Sequence, residues 1–412
     1  MNSNFREPNH LEFILISLIF FSGPLAFLTF RPFVNFFLVD IVMLVFIFIY
    51  ALSSIKTKTS VSAYPIFSLI LFCISYFLSG FLSETIEDPF VPIAQYLLII
   101  TTIITFSSYT LSDRKLKKLI DMYLLGMSLS IIVSYLAYND IIFNPNINYF
   151  SSGRFNGVWG NPNAMAKEMI NVIMVCLASL MLTKKSGNSS KTYSIFLVIL
   201  IFLSLYLILT SSSFGGVFFL ILCILFLFYT VYVHSDNRSK ILFLSCAFIL
   251  VMVSFYSYSY LYSYLPDKFV DRVLGVDDIS SAGSGSEKLF QILYGLELFL
   301  SNPLFGVGME NGRHYNEVSN ITSAYSIPFH SFYITAMVEG GILSIVSFFM
   351  IFLFFYSRIK SNFKYGPILL VILIAFLINL IVNNNIFNRY VWFPVLLCTF
   401  LSDGNKNRSA SL

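Results

Sequence analysis

Charged side chains are scarce in this sequence, at 11% of the residues, whereas hydrophobic residues make up 57%. Because soluble domains carry roughly 25% charged residues, this composition excludes an ordinary water-soluble globular protein. The hydrophobic residues fall in repeated runs of about 18–22, the length that a helix needs to cross a hydrocarbon core of ~30 Å. The sequence therefore predicts an all-α polytopic membrane protein.

Cysteine is also rare, and its placement excludes two further classes of protein. All 5 cysteines lie inside apolar runs, and no pair has CxxC spacing. We interpret them as small buried hydrophobic residues, so neither a disulfide framework nor a zinc site is predicted. The sequence also lacks a Walker motif and metal-ligand spacing, so we expect no metal and no nucleotide cofactor.

The apolar runs predict about twelve membrane-spanning helices. Their predicted bounds are 11–30, 33–52, 61–83, 91–110, 119–138, 164–183, 193–210, 217–234, 241–260, 331–357, 367–385 and 390–402. The first run is long enough to span the membrane, so we expect no cleavable signal peptide. Most of the 25 Lys and Arg residues fall in short segments on one side. The positive-inside rule places that side, with both termini, in the cytoplasm. The net charge of +4 is thus a topology signal and indicates no nucleic-acid partner.

Loop length divides the chain into three parts. Residues 1–260 are predicted to form the first nine spans, with a short periplasmic loop at 139–163. Residues 261–330 form one large periplasmic loop, and residues 331–412 contain the last three spans and a cytoplasmic tail. Long loops tend to carry function, so the active face is predicted to be periplasmic.

The large loop contains a predicted helix over residues 286–301, which Ser286 can cap and Asn302-Pro303 would end. Its length and its apolar surface favour an interfacial or re-entrant helix. The alternative is a thirteenth span, which would reverse the orientation of everything after it. Gly306 and Gly308 then predict a turn, either a plain tight turn or one where the backbone approaches a ligand.

The smaller loop ends in "SSGRFNGVWGNPNAMAKEMI", which holds Arg154 and a predicted helix start near Ala164. Asn163 has the residue type of an N-cap. A free helix N-terminus beside an arginine would bind an anion. The alternative is a capped helix with a solvated arginine.

Several cationic side chains and a histidine are predicted on the outer face, where they suit a lipid-linked pyrophosphate substrate. The residues are Arg154, Arg272, Lys288, Arg313, His314 and His330. Arginines hold phosphate oxygens bidentately and stabilise negative charge on a leaving group. A histidine can take the proton of an attacking sugar hydroxyl.

His330 precedes the tenth predicted span, and Glu339 lies inside it. A histidine at a helix end is more often an interfacial residue than a catalytic one, whereas a carboxylate inside a span is costly and indicates function. Nine residues along a regular helix turn through about 900° and leave two side chains ~13 Å apart, so no direct pair is predicted. Glu339 with Gly340 and Gly341 is alternatively a helix-packing feature.

Three segments resemble one family. "SNPLFGVG" followed by "PFHSFYITAMVEGGILS" resembles the large-loop signature of the O-antigen ligase and Wzy-type polymerase superfamily, and "GRFNGVWGNPNAMA" resembles its shorter-loop motif. The resemblance implies a GT-C-like integral membrane glycosyltransferase of the bacterial inner membrane. Such an enzyme uses undecaprenyl-pyrophosphate-linked glycans and needs no metal.

By position, the resemblance implies that His330 is the general base and that Arg154 is the shorter-loop arginine. Gly306 and Gly308 match the loop glycines, and Glu339 belongs to the Glu-Gly pair of the following span. Two departures concern charge. The chain has no arginine around Ser213, where ligases carry one, and none just after residues 284–285, where Lys288 or Arg272 could supply the charge.

The leading functional prediction is a polymerase of lipid-linked oligosaccharide repeat units. The alternative with the same chemistry is an O-antigen ligase, which transfers the finished glycan to lipid A-core. A polytopic transporter is a third reading, since twelve spans are common among transporters, but the sequence contains no repeat relating its two halves. A chain-length regulator is a candidate protein partner.

Overall fold

The computed structural model describes most of the chain. The described residues are 5–25, 29–30, 36–55, 61–82, 90–142, 147, 149–151, 154–186, 191–213, 216, 219–226, 285–309, 311–312, 329, 331–361, 366–381 and 389–402. The predicted span 241–260 lies outside them. They fall into two compact units, Met1–Gly126 with Ile279–Leu412, and Met127–Asp278. Each unit is described by itself.

The described part of the chain is mostly helical, as the composition predicts. The α-helices are α1 (His10–Ser22), α2 (Leu38–Ser54), α3 (Ala63–Leu82), α4 (Phe90–Phe106), α5 (Asp113–Tyr138), α6 (Pro162–Ser186), α7 (Lys191–Thr210), α8 (Gly285–Ser301), α9 (Phe332–Ser361), α10 (Gly366–Ile381) and α11 (Phe393–Leu396). The strands, each two residues long, are β1 (Thr29–Phe30), β2 (Phe36–Phe37), β3 (Thr110–Leu111), β4 (Phe150–Ser151), β5 (Arg154–Phe155) and β6 (Leu401–Ser402). The helix predicted over residues 286–301 is present as α8.

Four described helices are long and apolar enough to cross a membrane by length and composition. They are Ala63–Gly80, Asp113–Tyr138, Lys191–Thr210 and Phe332–Ser361. Shorter apolar helices are His10–Ser22, Leu38–Ser54, Ile93–Phe106 and Leu369–Ile381. The chain is thus a helical membrane protein, while the full set of twelve spans stays a prediction.

Two predicted spans differ from the structure. The first run is helical only to Ser22, because Gly23-Pro24 follows and proline cannot continue the hydrogen-bond ladder. The last predicted span, 390–402, is a series of short turns in which α11 has only 4 residues. Pro394 removes an N–H donor there, and this described segment ends in β6 instead of a continuous helix.

Helices α3 and α9 form the most extensive helix pair of the first unit. Hydroxyl groups join them: Ser68 Oγ lies 3.0 Å from Ser347 Oγ, and the Tyr76 hydroxyl lies 3.1 Å from Ser344 Oγ. Small residues let helix backbones approach closely in a membrane, and their hydroxyls bond across the interface. Residues 302–309 and α8 also contact α9, so this helix pair supports both of them.

Both described ends of the chain join the same short segment of the first unit. The N–H of Arg6 donates to the Ser108 carbonyl (3.2 Å), and the N–H of Thr110 donates to the Arg6 carbonyl (3.0 Å). Strand β3 also pairs in parallel with β6. The two chain ends therefore lie beside each other.

The Arg6 guanidinium is the hub of this region. Its Nη2 donates to Glu12 Oε1 (2.5 Å), to Ser53 Oγ (2.8 Å) and to the Tyr109 hydroxyl (3.2 Å). The same group lies over the rings of Tyr50 and Tyr109. Because the Glu12 side chain is fully buried, its ion pair with this guanidinium compensates the cost of removing the carboxylate from water.

In the second unit, helices α6 and α7 pack together, and the β4–β5 hairpin leads into a 3-10 turn at Gly157–Trp159. Phe155 packs edge-on against Tyr138, with ring centroids 5.0 Å apart. The N–H of Val158 donates to Ser134 Oγ (3.3 Å). The hairpin is thereby fixed to the C-terminal end of α5, and Arg154 lies at its second strand.

We expect Glu12→Gln to destabilise the first unit by about 3 kcal/mol, because it breaks a buried ion pair. Glutamine still suits the capping box that Glu12 forms with Asn9, so the loss reports the charge. The midpoint temperature of thermal unfolding in detergent should fall by several degrees. The control is Glu7→Gln, since the pair between Glu7 and Lys115 is partly exposed and should matter little. Equal unfolding temperatures for the two variants would contradict the expectation.

Candidate functional site

Arg154 is the one predicted cation whose side chain the described residues include. Its Nε donates to the Ser211 carbonyl (3.0 Å), and its Nη2 donates to Asn163 Oδ1 (3.0 Å). The residue stays partly exposed at the start of β5. A guanidinium has five N–H donors in a fixed fork, so these two bonds from different nitrogens orient the group. Arg154 is therefore a held cation, and the freely solvated arginine of the alternative reading is wrong.

Ser213 completes the same network. Its hydroxyl donates to Asn163 Oδ1 (2.8 Å) and accepts from the N–H of Gly216 (3.1 Å). The turn at the end of α7 is thus tied to the start of α6. The resemblance implies an arginine around Ser213, and here Arg154 brings a guanidinium to that segment. Sequence spacing gave no signal for this contact, because residues 154 and 211 are distant along the chain.

The N-cap of α6 is Asn161, so the prediction of Asn163 is wrong. Asn161 Oδ1 accepts from the N–H of Asn163 (2.8 Å) and from that of Ala164 (3.3 Å). Pro162 is the first helical residue, where a missing N–H costs nothing. Since the cap side chain occupies the N–H groups of Asn163 and Ala164, the predicted free helix N-terminus is not present, and anion binding by Arg154 stays a prediction. The pair Asn161-Pro162 was the sequence signal that could have identified this N-cap.

Three polar side chains of α6 are buried and were not singled out from the sequence. Lys167, Glu168 and Asn171 are 4%, 2% and 3% exposed. Lys167 and Asn171 follow Asn163 at steps of four, so Asn163, Lys167 and Asn171 share one face of the helix. Charged residues inside a predicted span were the signal that could have identified them.

In the hairpin region, Tyr149 is buried, and its carbonyl accepts from the N–H of Asn156 (2.8 Å). Burial raises the pKa of the Tyr149 phenol. The phenol is therefore neutral at physiological pH and supplies no charge beside Arg154.

Gly306 and Gly308 lie against the backbone of α9 in the first unit. The N–H of Val307 donates to the Val338 carbonyl (2.8 Å), and that of Gly308 donates to the Glu339 carbonyl (3.0 Å). A Cβ on Gly306 would overlap the Val338 carbonyl oxygen. The sequence predicted either a plain tight turn or an approach of the backbone to a ligand. In the structure, these glycines approach the protein's own main chain.

Glu339 is buried, at 3% exposure, near the point where α9 is broken at Gly341. Its carboxylate lies against Gly312, since a Cβ there would be 3.0 Å from Glu339 Oε1. Its backbone carbonyl also accepts from Ser79 Oγ (2.9 Å). The predicted packing role is thus present in the contacts of its main chain.

The remaining predicted site residues cannot be compared with the structure. His330, Arg272 and Arg313 lie outside the described residues, and Lys288 lies in α8 with its side chain outside them. The residues on either side of His330 in sequence are described. Phe329 is buried in a cluster with Val307, Ile334 and Val338, and the Ser331 carbonyl accepts from the N–H of Thr335 (2.9 Å).

Residues 196–349 match a protein-family model described as O-antigen ligase. The match confirms, over these residues, the resemblance to the O-antigen ligase and Wzy-type superfamily. A search of curated proteins found no match. The family supports a membrane glycosyltransferase-like enzyme with an O-antigen ligase or polymerase type of function, acting on lipid-linked glycans.

Proposed function

We propose that the chain is a polymerase of lipid-linked oligosaccharide repeat units for O-antigen or a related surface polysaccharide. The observation that carries the proposal is the oriented Arg154 guanidinium. It is bonded to Ser211 and, through Asn163, to Ser213, and both serines lie in the region that matches the family model. A partly exposed guanidinium held in this way suits a pyrophosphate, whose oxygens accept paired hydrogen bonds.

The reaction would be a glycosyl transfer without a metal. A sugar hydroxyl of the acceptor attacks the anomeric carbon of the donor glycan, and the bond from that carbon to the undecaprenyl pyrophosphate oxygen breaks. His330 takes the hydroxyl proton as general base. Arg154 holds the negative charge that develops on the departing pyrophosphate, with Arg272, Lys288 and Arg313 as further candidates.

The proposed setting is the bacterial inner membrane, with the active face periplasmic and both termini cytoplasmic. An even number of spans puts both ends on one side. The pairing of Arg6 and of β6 with one segment around Thr110 supports that arrangement. The basic short loops of the sequence support the cytoplasmic assignment.

The second candidate is an O-antigen ligase, which the description of the matching family favours. The two enzymes share the donor and differ in the acceptor, which is a lipid-linked repeat unit for the polymerase and lipid A-core for the ligase. The sequence departs from ligases around Ser213, where they carry an arginine and this chain instead brings Arg154 from the hairpin, and this departure favours the polymerase.

Deleting the gene and separating surface glycolipids on a gel tests the two candidates. We expect core lipid carrying a single repeat unit, because the ligase would still attach what the polymerase no longer extends. Bare core with polymer retained on undecaprenyl pyrophosphate would identify the ligase instead. An unchanged ladder would contradict both the polymerase and the ligase. It would favour a transporter or an enzyme that acts on a different surface polysaccharide.

Arg154→Lys should lose most of the polymer while the protein still inserts. A lysine is a point charge and cannot both bond Ser211 with Asn163 and present a planar fork to phosphate. The polymer ladder, normalised to the amount of membrane-inserted protein, measures the loss. The control is Arg114→Lys at an exposed position. Near-normal polymer in Arg154→Lys would argue against bidentate pyrophosphate binding.

His330→Ala should abolish polymer formation, since it removes the imidazole that takes the proton of the attacking hydroxyl in the proposed reaction. The matched control is His10→Ala, at the exposed start of α1. Complementation of the deletion strain provides the measurement, with inserted protein quantified on a blot. A ladder of parental intensity in His330→Ala would rule out its role as base.

A further inference from the structure

The brace, defined as residues 302–309, meets α9 where that helix is broken. Gly341 has φ 64° and ψ −160°, so the regular ladder of N–H to carbonyl bonds is interrupted there. In an apolar environment each carbonyl left without a partner costs several kcal/mol. The break can therefore persist only if other groups bond the main chain around it.

The brace and α3 supply those bonds. The Val338 carbonyl accepts from the brace N–H of Val307 (2.8 Å), and the Glu339 carbonyl accepts from Gly308 N–H (3.0 Å) and Ser79 Oγ (2.9 Å). After the break, the N–H of Ile342 donates to the Pro303 carbonyl of the brace (2.9 Å). The Gly340 carbonyl accepts from Ser75 Oγ (2.5 Å). The broken turn is thus held from two sides.

Glycine is required on both faces of this contact. Gly306 has φ +69°, and a Cβ there would overlap the Val338 carbonyl oxygen. A Cβ on Gly341 would lie 2.5 Å from the Leu304 carbonyl oxygen. Both glycines have a positive φ, which L side chains rarely adopt, and both lack the Cβ that would keep the two main chains apart. Any side chain at 306 would push the brace away from α9.

The same contact packs against Phe329, the residue that precedes position 330. Val307 of the brace packs with Phe329, Ile334 and Val338 in one buried cluster. Helix α8, which leads into the brace, reaches Ile334 closely at Gly295. The brace therefore determines where Phe329 lies.

We propose that the brace is a positioning device for the chemistry at residue 330, and that Gly306 and Ser79 are positioning residues. The inference rests on the proposed function, because it assigns the device to the base of that reaction. A continuous α9 would satisfy its own carbonyls, so the break is a strained feature that the surrounding structure maintains. Such features are concentrated at functional sites.

The first experiment complements the deletion strain with four variants and measures polymer per inserted protein. Gly306→Ala should lose about a hundredfold, the scale of an ångström-sized misplacement. Ser79→Ala removes one hydrogen bond and should lose about fivefold. Ser79→Thr keeps the hydroxyl and should restore polymer to within about twofold of wild type. The control is Gly80→Ala, where a Cβ meets nothing within 4 Å.

A second readout does not depend on glycan. Ser331→Cys is introduced into a chain whose native cysteines are replaced, namely Cys73, Cys176, Cys223, Cys246 and Cys398. Because Ser331 is buried, maleimide should label it slowly when the brace is intact. Adding Gly306→Ala or Ser79→Ala should raise the labelling rate, and adding Ser79→Thr or Gly80→Ala should not.

Normal polymer in Gly306→Ala overturns the inference, as does equal loss in Ser79→Ala and Ser79→Thr. Lost polymer with unchanged labelling at 331 also overturns it, because the segment would not have moved. If Gly306→Ala does not insert, the Ser79 pair decides. If the wild-type chain restores no polymer to the deletion strain, the proposed function fails, and labelling still reports whether the brace holds the segment.

Discussion

The main-chain contact between residues 302–309 and the broken turn of α9 is the constraint on which the rest of the first unit depends. Without water, the carbonyls of Val338 and Glu339 need protein donors, and those donors come from the brace and from α3. The contact joins three elements that are far apart in sequence. The serine-rich pairing of α3 with α9 and the docking of α8 at Gly295 are both compatible with it, because each brings small residues to the same helix.

The second unit holds Arg154 through hydrogen bonds to oxygens of the main chain and of an amide. Its Nε donates to the Ser211 carbonyl, and its Nη2 donates to the Asn163 amide oxygen. An amide oxygen that is oriented by its neighbours fixes the direction of the guanidinium. Asn163 can play this part because Asn161 already caps α6 and leaves the side chain of Asn163 available.

Sequence motifs located the important segments more reliably than they assigned the roles of single residues. "SNPLFGVG" and "VEGG" were both singled out from the sequence, but only the fold shows that they contact each other. The choice between Asn161 and Asn163 as N-cap depended on where α6 begins, a boundary that local patterns place only to within a few residues. The last apolar run has the composition of a span, yet Pro394 and its neighbours form short turns.

The sequence by itself determined the class of protein, since apolar run length and the scarcity of charge exclude anything but a helical membrane protein. It also indicated the family resemblance, because the motifs are local strings of residues, and the family model matches residues 196–349. Only the tertiary structure decided that Gly306 serves the main chain of α9, that Arg154 reaches the turn at Ser211, and that Lys167 and Glu168 are buried. The physical reason is that composition and periodicity act over one turn or one span, whereas these contacts join residues that are brought together only when the helices pack.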